Sequence, residues 1–391
     1  MKQGWEIKKL GEVCDIVGGS TPKTGEPSYW DGVHYWITPA ELDGSKYISS
    51  TSRTITDEGV KSAHLQLLPS GTVLLSSRAP IGKVAITTTP MYCNQGFKNL
   101  VCSNMLYNEF AYWFLYYNTE YLNSLGTGAT FKEISKRVVE QIPIPIPPRE
   151  EQERIVEELD CLSGVIEKKR EQLRELDALA QSIFYQMFGD PITNEKGWEV
   201  KKLKNITSKI GSGATPKGGN ESYKDEGISL IRSLNIHNNL FVYKDLAHID
   251  EEQADALKNV VVEDGDVLLN ITGASVARCC VVPNDVLPAR VNQHVAIIRP
   301  KELGNSIFIC YQFTSNAFHQ ELLSIGKSNG ATREALTKGQ LEELDIIVPP
   351  LTLQEEFAEK IEKIEQQKKL ISQSIKETED LFNSRMSYYF N

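Results

Sequence analysis

A tandem repeat constrains this chain more than any other feature of its sequence. GWEIKKL at residues 4–10 returns as GWEVKKL at 197–203, and IVGGSTPK at 16–23 returns as KIGSGATPK at 209–217. Asn-Gln and Gly-Ala-Thr motifs follow in the same order in both copies. The offset between the copies rises steadily from 193 to 202 residues, as expected for a duplicated unit with small insertions. The sequence therefore predicts two similar halves.

Each half combines short β-rich runs with an aromatic helix. GTVLLSSRAPIGKVAI at 71–86 is matched by GDVLLNITGASVARCC at 265–280, and Gly-bounded apolar runs of this kind predict strands. An amphipathic helix is predicted next in each half, with its apolar residues facing the core. Those residues are Phe110, Phe114, Tyr117 and Tyr121 in the first half and Ile307, Tyr311, Phe318 and Leu322 in the second. The predicted class is α+β, with globular domains at 1–148 and 191–350.

A long helix is predicted after each globular part, at 149–190 and 351–391. The first has an acidic first turn and ends at Gly189 and Pro191, which are helix stop signals. Apolar residues recur in both helices at alternating steps of four and three, the spacing of a coiled coil. The predicted core is Leu159, Leu162, Ile166, Leu173 and Leu176 with Ile361, Ile364, Ile371 and Ile375.

Chain connectivity predicts the direction of these two helices. The first globular part precedes the first helix and the second follows it, so the helices can pair within one chain only if they run antiparallel. We therefore expect two globular domains separated by an antiparallel two-helix coiled coil, with a pseudo-twofold internal duplication. Lys169, Lys368 and Thr378 are polar positions in the seam, and one hypothesis is that they fix its register.

Composition excludes several classes of protein. The net charge is -10, but 149–190 carries 11 acidic and only 6 basic residues, which leaves the globular parts near neutral. No part is basic enough to predict DNA binding from charge alone. The seven cysteines show no C-x-x-C pair, so neither a disulfide framework nor a metal site is indicated. No signal peptide or membrane-length apolar run is present, which predicts a cytoplasmic protein with no membrane association.

The order of these motifs resembles the specificity subunit of type I restriction-modification systems, over the whole chain. GSTPK and GATPK, the VLLSSRAPIGKVAI and VLLNITGASV runs, and the IPIPIPP-x-EEQ junction into a long helix carry the resemblance. It implies that each globular domain is a target recognition domain for one half of a bipartite, asymmetric site in double-stranded DNA, with the helices as a spacer. It also implies two methyltransferase subunits as partners and, through them, two restriction subunits.

Motifs for catalysis are missing from the sequence, in agreement with a recognition role. We find no N/D-P-P-Y/F motif, no adenosylmethionine loop, no P-loop and no catalytic triad, so no catalytic residue and no cofactor is expected. Adenine methylation and ATP-dependent cleavage would reside in partner subunits. A metal-nuclease interpretation of Asp190, Glu199 and Lys201 fails because the first copy has no equivalent of Asp190. A coiled-coil scaffold and a stand-alone tandem DNA-binding regulator are the remaining alternatives.

Candidate DNA contacts lie in loops that both copies share. Gly, hydroxyl and Lys side chains suit phosphate contact in the first loop, whereas the alternative is a turn with a solvated Lys; these residues are Thr21, Lys23, Thr215 and Lys217. Polar residues beside strand ends form a second group, with ordinary surface charge as the alternative: Arg78, Lys83, Asn270 and Arg278. Cations after the Gly-Ala-Thr motif, where a solvated helix face is the alternative, are Lys132, Lys136, Arg333 and Lys338.

Base readout is expected from two further features. Asn94 and Asn292, each followed by Gln, have side-chain amides that can bond adenine bidentately, although turn capping is equally compatible with the sequence. Residues 32–64 and 226–256 match poorly between the copies, so the two half-sites are expected to differ. Thr272 stands opposite Arg78, so contacts need not correspond one to one.

Overall fold

The computed structural model describes residues 4–128, 132–216, 218–327 and 334–391. The chain divides into two compact units. Unit 1 is Met1–Arg170 with Gln373–Asn391, and unit 2 is Glu171–Ser372. Both divisions fall inside the long helices, so each unit contains a globular part and one stretch of each helix.

Unit 1 contains a main sheet with strand order β2-β9-β6-β7-β4, a smaller sheet of order β5-β3-β8, and the ribbon β1-β10. Its strands are β1 Glu6–Lys9, β2 Cys14–Gly18, β3 Trp30–Ile37, β4 Tyr47–Ile48, β5 Thr54–Ile55, β6 Val73–Leu75, β7 Val84–Thr87, β8 Tyr92–Cys93, β9 Lys98–Cys102 and β10 Pro143–Ile146. Its helices are α1 Leu10–Val13, α2 Asp57–Ser62, α3 Asn108–Tyr117, α4 Thr119–Ser124, α5 Lys136–Glu140 and the first part of α6 Arg149–Phe188.

Unit 2 repeats this plan with sheets of order β12-β21-β18-β19 and β16-β13-β20-β17 and the ribbons β11-β22 and β14-β15. Its strands are β11 Val200–Lys202, β12 Thr207–Ser212, β13 Ile228–Ile231, β14 Ile236–His237, β15 Leu240–Phe241, β16 Ala247–Ile249, β17 Val261–Val262, β18 Val267–Asn270, β19 Cys279–Val281, β20 Ala289–Val291, β21 Val295–Pro300 and β22 Asp345–Ile347. Its helices are α7 Leu203–Ile206, α8 Glu251–Ala256, α9 Ser306–Thr314, α10 Asn316–Lys327, α11 Lys338–Glu342 and the first part of α12 Leu351–Phe390.

The strand order confirms the predicted duplication and the α+β class. The run β2-β9-β6-β7 in unit 1 has the same order as β12-β21-β18-β19 in unit 2, and the predicted Val-Leu-Leu strands are its third members. The register between the second and third strands of these runs is also the same. The first valine of each Val-Leu-Leu strand pairs with an equivalent residue of the repeat, Val73 with Leu100 and Val267 with Ile298. The two units are therefore built on one topology.

The Val-Leu-Leu strands are buried on both faces of their sheets. Val73 and Leu75 pack into the cluster that contains the α3 aromatics, whereas Leu74 packs on the opposite side with Ile37 and Phe97. Successive side chains of a strand point to opposite faces, so an unbroken apolar run has a core on each side. Unit 2 divides its own Val-Leu-Leu strand between two clusters in the same way.

The predicted aromatic helix is two helices in each unit. Asn118 separates α3 from α4, and its amide donates to the Phe114 carbonyl at 2.8 Å. Ser315 separates α9 from α10 with an extended backbone. The predicted core role of Tyr121 is wrong, since 43% of this residue is exposed after the break. The short helix α3 that precedes the break is buried on nearly every side, since all six residues from 110 to 115 are buried.

The long helices run antiparallel within each unit, as predicted. In unit 1, the Lys169 ammonium of α6 donates to the Ser374 hydroxyl of α12 at 2.6 Å. Glu158, which lies earlier in α6, pairs with Arg385, which lies later in α12, so the two helices run in opposite directions. In unit 2, Lys368 pairs with Asp177 at 2.7 Å. The two seam lysines are thus paired across the helices rather than left unsatisfied.

Burial along the predicted helix core is graded. Leu159, Ile166, Ile361 and Ile364 are buried. The half-buried core residues are Leu162, Leu173, Leu176, Ile371 and Ile375. Near the helix ends, residues outside the predicted seam, such as Phe184 and Phe188, are fully buried. Those ends of the helices also pack on the globular parts. The rings of Phe188 and Phe308, for example, are 4.7 Å apart.

Candidate nucleic-acid interface

Two loops cross closely in unit 1, and the crossing depends on a glycine. The loop after β2 contains Gly19, and the Ser20 N–H donates to the Cys93 carbonyl at 3.1 Å. A Cβ atom on Gly19 would lie only 2.1 Å from the Cys93 carbonyl oxygen, so any other residue would push the loops apart. Trp36 Nε1 holds the same loop by donating to the Ser20 carbonyl at 3.1 Å.

The same two loops cross in unit 2, again at a glycine, although the residues that contact it are different. The Gly213 N–H donates to the Asn292 carbonyl at 3.1 Å. A Cβ atom on Gly213 would lie 1.7 Å from the Val291 carbonyl oxygen. The first loop and the Asn-Gln loop are therefore neighbours in both units, although they are far apart in the sequence.

The two asparagines of the Asn-Gln loops cap turns. Asn94 Oδ1 accepts the Gly96 N–H at 2.9 Å, and Asn292 Oδ1 accepts the His294 N–H at 3.0 Å. Asn292 is also only 5% exposed. Of the two interpretations that the sequence left open, turn capping is the one that the structure favours.

Glutamine side chains occupy the exposed position instead. Gln95 and Gln293 are exposed, and each accepts a hydrogen bond at Oε1 from the hydroxyl of a first-loop threonine, Thr21 and Thr215 respectively. Sequence reasoning named the neighbouring asparagines and missed the glutamines. The signal was present, because Gln follows Asn in both copies.

Lys23 presents a free cation beside this loop pair. Its side chain is exposed, and no ion-pair partner for its ammonium lies in the part of unit 1 that the structure describes. Its backbone is fixed, since Trp30 Nε1 donates to the Lys23 carbonyl at 3.3 Å. A cation on an anchored backbone suits phosphate contact. The equivalent Lys217 lies outside the described residues.

The second loop of unit 1 is already engaged in internal contacts. Arg78 Nε donates to Glu133 at 2.9 Å, and Lys98 lies 3.2 Å from the same carboxylate. Partial burial opposes ionisation, but these two cations hold the pKa of Glu133 below its ordinary value. Lys83 donates to the Leu42 carbonyl at 2.7 Å, so its ammonium supports the fold of a neighbouring loop.

The second loop of unit 2 is arranged differently. Asn270 has no exposed surface and donates to the Ser233 carbonyl at 2.9 Å, so its side chain supports the fold and does not reach the surface. Arg278 is half-buried and lines a cavity of about 640 Å³ together with Thr272 and His294. Within the described part of unit 2, its guanidinium has no ion pair. Thr272, and not Arg278, occupies the position of Arg78, so the free cation of this loop stands at a different place in unit 2.

Cations after the Gly-Ala-Thr motifs lie at the surface. Lys132 is exposed. Lys136 and Lys338 begin α5 and α11, and each faces a glutamate one turn later, at 3.8 and 3.5 Å from Glu140 and Glu342. Such exposed pairs are weak and leave the lysines available. Arg333 lies outside the described residues.

Comparison with known proteins gives a consistent result for both halves. The family model described as type I restriction modification DNA specificity domain matches residues 2–177 and 195–380. The MjaIX specificity subunit of Methanocaldococcus jannaschii is 31% identical over 374 residues, covering 90% of this chain and 85% of that protein. The Escherichia coli EcoR124I/EcoR124II specificity subunit is 29% identical over 162 residues, 40% of each chain.

Solved structures support the fold. A chain from a study of type I R-M complex assembly and conformational transition superimposes with a TM-score of 0.61 at 20% identity, covering 100% of this chain and 98% of that one. The S subunit from M. genitalium gives a TM-score of 0.59 at 14% identity, covering 99% and 96%. Among the described residues, no helix is both long and apolar enough to cross a membrane. The chain belongs to the type I restriction-modification DNA specificity family.

Proposed function

We propose that this chain reads a bipartite, asymmetric site in double-stranded DNA, with one half-site read by each unit. The observation that carries the proposal is the duplicated loop pair. Both units use a glycine crossing to present an exposed glutamine beside a threonine, although the residues that build the crossing differ. Two copies of the same exposed loop pair on one chain suit a ligand with two similar but non-identical parts, such as the two half-sites of a DNA sequence.

The segments expected to differ between the half-sites differ in one part of their structure. Strand β5 and helix α2 have counterparts in β16 and α8, because β3 pairs with β5 as β13 pairs with β16. Between these shared elements, unit 1 has β4 on its main sheet, whereas unit 2 has the separate β14-β15 ribbon. Shared loops would then contact the DNA in both units, and the divergent segments would make the two half-sites differ in sequence. This supports the assignment of 1–148 and 191–350 as target recognition domains, followed by the helices 149–190 and 351–391.

The cations at these loops would contact phosphates. Lys23, Arg278 and Lys132 have no carboxylate partner among the described residues, so they are the strongest candidates. Lys136 and Lys338 would exchange weak surface pairs for phosphate. Phosphate contacts position a protein on DNA without selecting sequence.

The same proposal includes the partners. A recognition subunit without catalytic groups needs methyltransferase subunits, and two pseudo-equivalent units offer two equivalent docking surfaces. We therefore propose two methyltransferase subunits and, through them, two restriction subunits, in the cytoplasm. We also propose that the two long helices act as a spacer that sets the distance between the half-sites.

Methylation in a reconstituted system tests it. The chain is co-expressed with its cognate methyltransferase subunit in cells that lack type I enzymes, and modified bases are mapped across the genome. We expect adenine methylation in one split, non-palindromic motif. The chain alone and the methyltransferase subunit alone should give none. Methylation by the isolated chain, or the same motif without the chain, would contradict the proposal.

A further inference from the structure

The exposed glutamine of unit 2 is held at both ends of its amide. Thr215 donates to its Oε1, and its Nε2 lies 3.1 Å from His294 Nε2. An amide nitrogen can only donate, so His294 Nε2 must be the unprotonated ring nitrogen. His294 Nδ1 then carries the proton and donates to the Thr272 hydroxyl at 2.6 Å. The chain Thr215–Gln293–His294–Thr272 therefore fixes the Gln293 side chain.

Unit 1 lacks the second half of this chain. Gly96 stands where unit 2 has His294, and Arg78 stands where it has Thr272. The backbone supports the latter match, because Arg78 bridges Glu133 as Thr272 bridges Ala335. Gln95 is consequently held by Thr21 alone, and within the described part of unit 1 its amide nitrogen has no partner. The two glutamines occupy the same place but differ in the number of hydrogen bonds that hold their amides.

The contacts inside unit 2 leave one acceptor site and one donor site of the Gln293 amide unused. A glutamine oxygen has two lone pairs and its nitrogen two hydrogens, and the network uses one of each. An amide oxygen and an amide hydrogen are the groups with which a glutamine bonds adenine bidentately, at its N6 amino group and N7. Because the side chain is already ordered, little rotamer freedom remains to be lost on binding.

We propose that Gln293 reads an adenine in the half-site bound by unit 2, and that His294 is its positioning residue. The inference rests on the proposed function and adds to it one specificity-determining contact. His294 itself need not touch DNA. Its backbone is held independently by Asn292, so its ring can be replaced without removing the turn.

Four variants of the full chain, each assembled with the methyltransferase subunit, test this. Gln293→Ala removes the reader, His294→Gly copies unit 1, and His294→Gln restores an acceptor where Nε2 lies. Gln95→Ala is the matched control in the other unit. Binding is measured on duplexes that carry each of the four bases at every position of the half-site assigned to unit 2.

Gln293→Ala should lower the preference for adenine at one position on the order of 10-fold, with the other half-site unchanged. His294→Gly should lower it by a smaller factor, roughly 3-fold, and His294→Gln should restore it. Gln95→Ala should leave that position unaffected.

An equal loss of affinity for all four bases in Gln293→Ala would overturn the reader role, and so would no change. Full discrimination in His294→Gly would overturn the positioning role, as would a failure of His294→Gln to restore what His294→Gly loses. If the wild-type assembly selects a split motif and Gln293→Ala selects it identically, this inference fails alone. If the wild-type assembly selects no motif, the proposed function fails.

Discussion

A buried ion pair gives unit 2 a sharply testable weak point that unit 1 lacks. The Asp266 side chain is fully buried and the Arg299 side chain only 19% exposed. Two parallel hydrogen bonds join them, Nε to Oδ1 at 2.7 Å and Nη2 to Oδ2 at 2.9 Å. By strand register, Thr72 and Val101 occupy these places in unit 1.

The perturbation is Arg299→Met. It leaves the Asp266 carboxylate buried with one protein donor in the described residues, the Glu263 N–H at 2.8 Å. Loss of one partner of a buried pair costs about 3–5 kcal/mol, because the remaining charge is uncompensated. The double variant Asp266→Thr/Arg299→Val carries the residues of unit 1 and removes both charges. Replacement of the whole pair is often neutral or stabilising, so its free energy of unfolding should recover to within about 1 kcal/mol of wild type.

Hydrogen exchange under mild urea is the assay, because a two-unit chain need not unfold in one step. In Arg299→Met, amides of β18 and β21 should exchange at least about 100-fold faster, while those of β6 and β9 in unit 1 serve as the internal control. The double variant should restore slow exchange. A single variant that exchanges like wild type would refute the reasoning, and so would a double variant no better than the single one.

Three other predictions concern the loops and helices. Lys23→Ala should weaken DNA binding equally for all sequences and reduce the slope of log affinity against log salt by about 0.9; a changed base preference would contradict a phosphate role. Gly213→Ala should force the loop away from Val291 and abolish recognition of one half-site in the methylation assay, with the other retained. Glu158→Gln should destabilise unit 1 in thermal melts at neutral pH. The hydrogen bond from Arg385 holds the pKa of Glu158 below its ordinary value, so this stabilisation is present above about pH 4.3 and is lost as pH falls through the lower folded pKa. A difference between wild type and variant that persisted at the lowest pH would contradict it.

The sequence alone determined the duplication, the Val-Leu-Leu strands and the long helices. These features are visible in local patterns: motif order indicates the repeat, apolar runs bounded by glycine indicate strands, and the seam spacing indicates the coiled coil. Connectivity then restricted the helices to an antiparallel pairing. The break at Asn118 was missed, because apolar spacing continues across it while the backbone does not.

Only the tertiary structure decided which polar side chains face outward. The sequence placed Asn94 and Asn292 at the correct loops, but the hydrogen bonds of their own turns occupy them, and the adjacent glutamines are exposed instead. Asn270 matched the pattern of a DNA contact and is buried. A polar residue has the same appearance in a sequence whether its partner is backbone, another side chain or solvent. Thr21 meets Gln95 across 74 positions and Thr215 meets Gln293 across 78, so the folded chain, and not local sequence, selects those partners.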